Sequence, residues 1–204
     1  LMATGAARAE AGTVELRLCQ LGGREYASFG RVRPDPEIAI VEDCMRAYRE
    51  GGHDGLIGVG GGSAIDIAKS VAAYAGYHGA LADLFGVDQV PRKGPPLIAI
   101  PTTAGTGSEV TNVAILSDQA AQLKKGIVRD YLLPDVALVS PQMTLTCPRS
   151  VTAASGVDAL VHAIESYLSL NASPITDALA IGAIKLIASA LPKAYANPAN
   201  LQAR

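Results

Sequence analysis

Short apolar runs alternate with amphipathic stretches along the first two thirds of the chain. The apolar runs predict strands, and the stretches with apolar residues three and four positions apart predict helices. Strands that alternate with helices predict a mostly parallel α/β sheet. The predicted strands are 25–32, 55–60, 96–101, 112–118, 124–128 and 135–140, and the predicted helices are 13–21, 33–52 and 63–75.

The helix predicted within 33–52 has clear start and stop signals. Asp35 is placed to cap its first turn, and Pro36 suits the first helical position. Gly51 and Gly52 follow the last apolar position and predict its end.

The pattern changes near Pro148, where strand signals end and two long helical stretches follow, at about 151–170 and 174–191. Ser173 and Pro174 occupy the preferred cap and first-turn positions of the second helix. We therefore expect a domain boundary at 148–151, with an α/β domain at 1–150 and an all-α region at 151–204.

Composition excludes several classes of protein. The 204 residues carry a net charge of −2 and no basic run, which argues against nucleic-acid binding. No apolar run is expected to reach transmembrane length, and the first ten residues do not resemble a signal peptide. Three widely spaced cysteines argue against a disulfide framework or a cysteine zinc site and suit a reducing cytoplasm.

A glycine-rich turn follows the predicted strand at 55–60. Gly60, Gly61 and Gly62 allow a tight turn and the close approach of a ligand, and the next helix points its amides at this place. A phosphate or pyrophosphate is the expected guest. Ser63 stands where the third glycine of G-x-G-x-x-G would be. The alternative is a plain turn in which Ser63 and Asp66 form a capping box.

A second loop rich in small residues follows the predicted strand at 96–101. Its hydroxyls can donate hydrogen bonds to sugar and phosphate oxygens, or they can satisfy their own backbone. Two such loops at neighbouring strand ends favour one shared ligand at the sheet edge. The residues concerned are Thr102, Thr103, Gly105, Thr106, Gly107 and Ser108.

Asp158 and His162 lie four residues apart on one face of a predicted helix. Such a pair can share a metal ion, or its members can simply hydrogen-bond to each other, and the residues alone favour the hydrogen bond. Glu165 lies about 10 Å further along the helix axis, too far to join them easily. His53 and His78 have no partner at ligand spacing.

Four stretches in this order resemble the iron-containing (group III) alcohol dehydrogenase family. They are GGGSAID at 60–66, PTTAGTGSEVT at 101–111, KKGI with LLPDVALVSP within 124–141, and SGVDALVHAIESY at 155–167. The resemblance runs from about Asp35 to Arg204. It implies a Rossmann-like dinucleotide-binding domain followed by the start of an all-helical metal-binding domain.

The resemblance also implies roles for particular residues. Asp158 and His162 match the first two metal ligands of the family, for Fe(II) or alternatively Zn(II). The family takes its other two ligands from histidines further along the chain, so this sequence resembles the middle of a longer enzyme. The pyrophosphate of NAD(P) is expected at Gly60, Gly61, Gly62 and Ser63, and the rest of the nucleotide at Thr102, Thr103, Thr106, Thr111 and Lys124.

The implied activity is the NAD(P)-dependent interconversion of a small alcohol and its aldehyde or ketone by metal-assisted hydride transfer. Gly5 takes the place of a family acid that favours NAD, so NADP would be tolerated. Hydroxyacid–oxoacid transhydrogenases are an alternative, and Asp158 with His162 argues against the metal-free reductases. A truncated nucleotide-binding remnant and a structural α/β domain are further alternatives. A small-molecule substrate, no membrane and possible homo-oligomers are expected.

Overall fold

The computed structural model describes residues 1–5, 14, 25–119 and 121–204, and they form two compact units. The first unit comprises Leu1–Thr102 and Ser108–Val139, and the second comprises Thr103–Gly107 and Ser140–Arg204. The predicted helix at 13–21 and Cys19 fall almost wholly outside the described residues.

The units divide between Val139 and Ser140, earlier than the boundary expected at 148–151. A short 3₁₀ turn over Pro141–Thr144 directly follows this division. The guanidinium of Arg204 donates to the carbonyl oxygen of Thr144 at 2.8 Å, which ties this turn to the other end of the unit. That contact spans the helical region and cannot be read from local pattern.

Within the described residues, the first unit is built on a five-stranded, wholly parallel sheet with the strand order β2-β1-β3-β5-β8. A second sheet, in which the described residues form three strands in the order β4-β7-β6, contains the antiparallel pair β6 and β7. This architecture confirms the expected Rossmann-like class. The strands are β1 Met2–Thr4, β2 Ser28–Phe29, β3 Leu56–Gly60, β4 Gly86–Val87, β5 Leu97–Pro101, β6 Val113–Asp118, β7 Leu123–Val128 and β8 Val136–Ala137.

Two helices among the described residues of the first unit pack against each other, and the second of them also packs on the parallel sheet. Helix α1 spans Ile38–Glu50 and ends at Gly51 as expected, but its N-cap is Glu37 and no side chain caps it. The prediction that Asp35 caps this helix is wrong, because its carboxylate instead pairs with Lys124 at 2.7 Å. Helix α2 spans Gly62–Ala75, and its small and apolar residues from 64 to 73 are all buried. It forms the centre of the core.

The second unit is a pair of helices, α3 over Arg149–Leu168 and α4 over Pro174–Ala196. Ser173 caps α4 as expected, because its hydroxyl accepts the Thr176 amide at 3.2 Å. The two helices approach closely where Gly156 faces Leu191, since a Cβ on that glycine would lie 2.4 Å from the leucine side chain.

Helix α4 is long and apolar enough to cross a membrane by length and composition alone. The expectation that no stretch reaches that length is therefore wrong. Lys185, Pro192 and Lys193 interrupt its apolar surface. Length and composition do not separate a membrane span from an apolar helix that packs against other helices.

Candidate functional site

The glycine turn lies at the carboxyl end of β3, between its parallel neighbours β1 and β5. Gly60 has φ +153°, and a Cβ there would lie 2.7 Å from the Cβ of Ala64. Helix α2 begins directly after it, with Gly61 as N-cap and no side-chain cap. The capping-box alternative for Ser63 and Asp66 is therefore wrong, and the first-turn amides at 62 and 63 are left for another acceptor. Such a turn suits a phosphate.

Asp66 does not cap helix α2, although its position near the start of the helix suggests that role. It is almost fully buried, and its Oδ2 accepts the amide of Ile115 in β6 at 3.1 Å. Burial raises the pKa of this carboxyl, while the Ile115 amide, the Lys69 charge and the Ser108 hydroxyl act in the opposite direction. The carboxylate thus connects α2 to the second sheet.

Lys69 lies one helical turn after Asp66 and has no exposed surface. Its Nζ donates to the carbonyl oxygen of Thr111 at 2.7 Å, to Thr111 Oγ1 at 3.0 Å and to the carbonyl oxygen of Val113 at 3.0 Å. Burial lowers the pKa of this ammonium to about 8, although the charges of Asp66 and Glu109 raise it. The three bonds hold the segment that leads into β6 against α2.

Sequence reasoning overlooked Lys69, although a signal was present. In the sequence of this helix, Lys69 follows Asp66 by three residues, and the other residues are small or apolar. A lysine in such a buried helix is unusual, because lysines are almost never fully buried unless they are paired. Thr111 was expected to line a nucleotide. Its hydroxyl and carbonyl oxygen are both bonded to Lys69, so within the first unit it contacts this cation.

Thr102 and Lys124 are the remaining residues of the first unit that were expected to contact the nucleotide. The Thr102 amide donates to the carbonyl oxygen of Gly60 at 2.9 Å, so the ends of β3 and β5 are joined directly. Thr102 itself is buried. Lys124 lies at the start of β7, in the other sheet, where it is exposed and paired with Asp35. The expected nucleotide contact of Lys124 remains a prediction.

In the second unit, the loop Thr103–Gly107 packs against helix α3. A Cβ on Gly105 would lie 2.6 Å from the carbonyl oxygen of Ser155, which requires a glycine at the contact. Thr103 is half-buried and Thr106 is exposed. The loop thus contacts α3 about one turn before Asp158.

The Asp158–His162 pair has the geometry expected on one helix face. The Asp158 Oδ1 and the His162 Nε2 lie 3.7 Å apart, and the two side chains are 44% and 51% exposed. A carboxylate oxygen and an imidazole nitrogen so placed suit Fe(II) or Zn(II). Among the described residues, no group of three or more histidine, cysteine, aspartate or glutamate side chains is placed to hold an ion. The pair fits part of a metal site and does not complete one.

Two family models together match nearly the whole chain. The model described as iron-containing alcohol dehydrogenase matches residues 1–141, and the model of the C-terminal part of that family matches residues 152–204. The chain belongs to the iron-containing alcohol dehydrogenase family. The resemblance inferred from its four motifs is thereby confirmed.

Relatives in this family have named substrates. Long-chain-alcohol dehydrogenase 1 of Geobacillus thermodenitrificans (strain NG80-2) is 50% identical over 85% of this chain and 44% of its own length. The NAD-dependent methanol dehydrogenase of Bacillus methanolicus is 41% identical over 89% of this chain and 48% of its own length. The chain therefore spans about half the length of the curated relatives that it matches.

Solved structures of the family have the same fold. A 1,3-propanediol oxidoreductase superposes with a TM-score of 0.93 and 38% identity, over 99% of this chain and 53% of that one. A sulfoacetaldehyde reductase from Bifidobacterium kashiwanohense, in complex with NAD⁺, superposes with a TM-score of 0.92 and 36% identity, over 99% of this chain and 54% of that one. Because the match covers 99% of the chain, α4 has a counterpart in these dehydrogenases.

Proposed function

We propose that the intact protein is an NAD(P)-dependent oxidoreductase that interconverts an alcohol and its aldehyde or ketone with the help of a bound metal ion. The Asp158–His162 pair carries this proposal. Its two ligand atoms lie 3.7 Å apart on a half-exposed helix face, where a metal and a substrate oxygen can both approach. The family and the named alcohol dehydrogenases among its members support the reaction class.

The residues of the first unit would bind and orient the cofactor. The amides of the first turn of α2, at Gly62 and Ser63, would bind the pyrophosphate, and the partial positive charge of the helix N-terminus favours it. Lys69 and Asp66 would act indirectly, by holding α2 against β6 so that this turn keeps its position. Bound NAD(P) would supply the hydride acceptor or donor at C4 of its nicotinamide.

In the second unit, Asp158 Oδ1 and His162 Nε2 would hold two positions on the metal ion. To do so the carboxyl group must be ionised and the imidazole neutral. A bound Fe(II) or Zn(II) supplies Lewis acidity, which stabilises an alkoxide or polarises a carbonyl oxygen. The loop Thr103–Gly107 would restrict the position of α3 through the contact of Gly105 with Ser155.

Removal of the metal tests this proposal. The intact protein is incubated with a chelator, and the chelator is then removed. This treatment is expected to abolish alcohol-dependent reduction of NAD(P)⁺, and addition of Fe(II) or Zn(II) should restore the activity. Binding of NAD(P)H, followed by nicotinamide fluorescence, should change little, because the glycine turn contains no metal ligand. Full turnover by protein shown to contain no metal would contradict the proposed role of the pair.

A further inference from the structure

The loop Thr103–Gly107 has buried residues on both of its flanks. Before the loop, the amide of the buried Thr102 donates to the carbonyl oxygen of Gly60 at 2.9 Å. After the loop comes Ser108, which is also buried. Burial raises the pKa of the Asp66 carboxyl in α2, and the Ser108 hydroxyl acts in the opposite direction. The loop therefore begins and ends at residues with defined contacts, which limits the paths that it can take.

The middle of the loop packs against the backbone of helix α3 within the second unit. A Cβ on Gly105 would lie 2.6 Å from the carbonyl oxygen of Ser155 and 2.7 Å from its Cβ. These atoms belong to the helix backbone and its first side-chain atom, so they cannot rotate away as the end of a long side chain can. At the next residue, Gly156 packs against Leu191 of α4. One turn of α3 is thus restrained by the loop and by α4 at successive residues.

The restrained turn directly precedes the candidate metal ligands. Ser155 lies three residues before Asp158 and seven before His162. Residues at these spacings share one face of a helix, and three residues correspond to about 4.5 Å along the helix axis. The loop therefore contacts α3 on the face that carries the pair, one turn before its first member.

The position of this turn matters because metal ligation tolerates little displacement. Bonds from carboxylate oxygen or imidazole nitrogen to such an ion are about 2.0–2.2 Å long. Asp158 and His162 are 44% and 51% exposed, so the helix backbone fixes their starting positions more than side-chain packing does. Carbon atoms in contact are about 3.5–4.0 Å apart, so an alanine at 105 would displace the loop or α3 by about 1 Å. A misplacement of that size can cost about 100-fold in rate.

We propose that Gly105 is a positioning residue for the metal site. It lets the loop rest on the backbone of Ser155, and this contact sets the helix turn from which Asp158 and His162 reach the ion. The proposal rests on the proposed function, because the ion is the one that the proposed reaction requires. It gives the loop a part in metal binding that is separate from any contact with the nucleotide.

The test is a titration of the metal-free intact protein with Co(II), whose visible absorption depends on the number and geometry of its ligands. Gly105→Ala is expected to weaken Co(II) binding about 10-fold, as loss of a group that orients a metal ligand does. The absorption bands of the bound ion should also change. The kcat for alcohol oxidation should fall, while the KM for NAD(P)⁺ and the binding of NAD(P)H stay close to those of the wild type, because the glycine turn is intact.

Two control variants and one further substitution accompany this variant. Gly182→Ala adds the same methyl group to α4, where a Cβ meets nothing within 4 Å, and should change neither affinity nor spectrum. Ser155→Gly removes the Cβ that faces Gly105 and should weaken Co(II) binding in the same direction. Its control is Ser166→Gly, at an exposed position of α3. Amide hydrogen exchange in peptides covering 155–162 should be faster in metal-free Gly105→Ala than in the wild type.

Three outcomes would overturn the inference, and they are distinguishable. If Gly105→Ala and Ser155→Gly both keep the wild-type affinity and spectrum while Asp158→Ala loses Co(II), the contact does not position the ligands and the proposed function stands. If affinity falls only with the loss of folded protein in circular dichroism, and the spectrum is unchanged, the role of Gly105 is purely structural. If Asp158→Ala also keeps Co(II) with the wild-type spectrum, the proposed function fails together with this inference.

Discussion

Replacement of Lys69 by methionine is expected to lower the free energy of unfolding of the first unit by about 3 kcal/mol. The side chains have similar length, so little packing is lost. The ammonium, however, donates three hydrogen bonds, to the carbonyl oxygens of Thr111 and Val113 and to the Thr111 hydroxyl. Methionine would leave these acceptors without that donor, and Asp66 would lose the favourable charge of Lys69 beside it.

Urea unfolding followed by circular dichroism measures the effect. Lys93→Met is the matched control, because Lys93 forms an exposed ion pair with Asp135 and such pairs contribute little. We expect that variant to lose less than about 1 kcal/mol. If Lys69→Met were no more destabilising than Lys93→Met, the three hydrogen bonds would not hold α2 against β6 in the way described.

Asp158→Ala in the intact protein is expected to reduce metal affinity by about 100-fold or more, since even residues that only support a ligand account for 10- to 100-fold. Alcohol-dependent reduction of NAD(P)⁺ should fall with it. His162→Ala should have the same effect. The double variant should lose little more metal affinity and activity than either single variant, because each substitution disables the same metal site. Iron and zinc per protomer are measured by mass spectrometry beside the turnover rate.

Glu165→Ala supplies the control for Asp158→Ala. It removes an exposed carboxylate from the same helix, about 10 Å further along its axis, so it should keep both metal and activity. NADPH and NADH binding should be unchanged in all these variants. If Asp158→Ala kept full metal content and turnover, the pair would be only a helix-surface contact.

The elements that were predicted correctly depend on local signals. Strand β3, its glycine turn and helix α2 follow from an apolar run, three glycines and a helical pattern within twenty residues. Ser173 was recognised as a cap because its partner, Thr176, lies three residues away. The i, i+4 spacing of Asp158 and His162 likewise fixes their proximity once a helix is assumed.

The features that sequence reasoning missed depend on contacts between distant parts of the chain. The bonds of Lys69 reach residues 42 and 44 positions away. Asp35 was expected to cap a helix 33–52, but it pairs with Lys124 at a separation of 89 residues. The pairing of β6 with β7 in a sheet of their own is also non-local, although each strand was predicted individually.

The candidate site likewise has parts that follow from local sequence and parts that depend on contacts between distant residues. The glycine turn and the Asp158–His162 pair are contiguous motifs and were found directly. The close approach of Val32 to Gly5 was not expected, because it requires β1 and β2 to lie side by side and Val32 to cross the end of β1. Gly5 alone indicated only that an acid was missing.

Hydride transfer from a labelled alcohol is the most direct test of the proposed reaction. The intact, metal-loaded protein is incubated with NADP⁺ or NAD⁺ and a primary alcohol or diol deuterated at the carbinol carbon, and the reduced cofactor is analysed by NMR. One deuterium at C4 of the nicotinamide is expected for each aldehyde formed, and no transfer is expected after chelation or in Asp158→Ala. Aldehyde formation without added cofactor and without deuterium in the nicotinamide pool, or no oxidation by protein that holds both metal and cofactor, would contradict it.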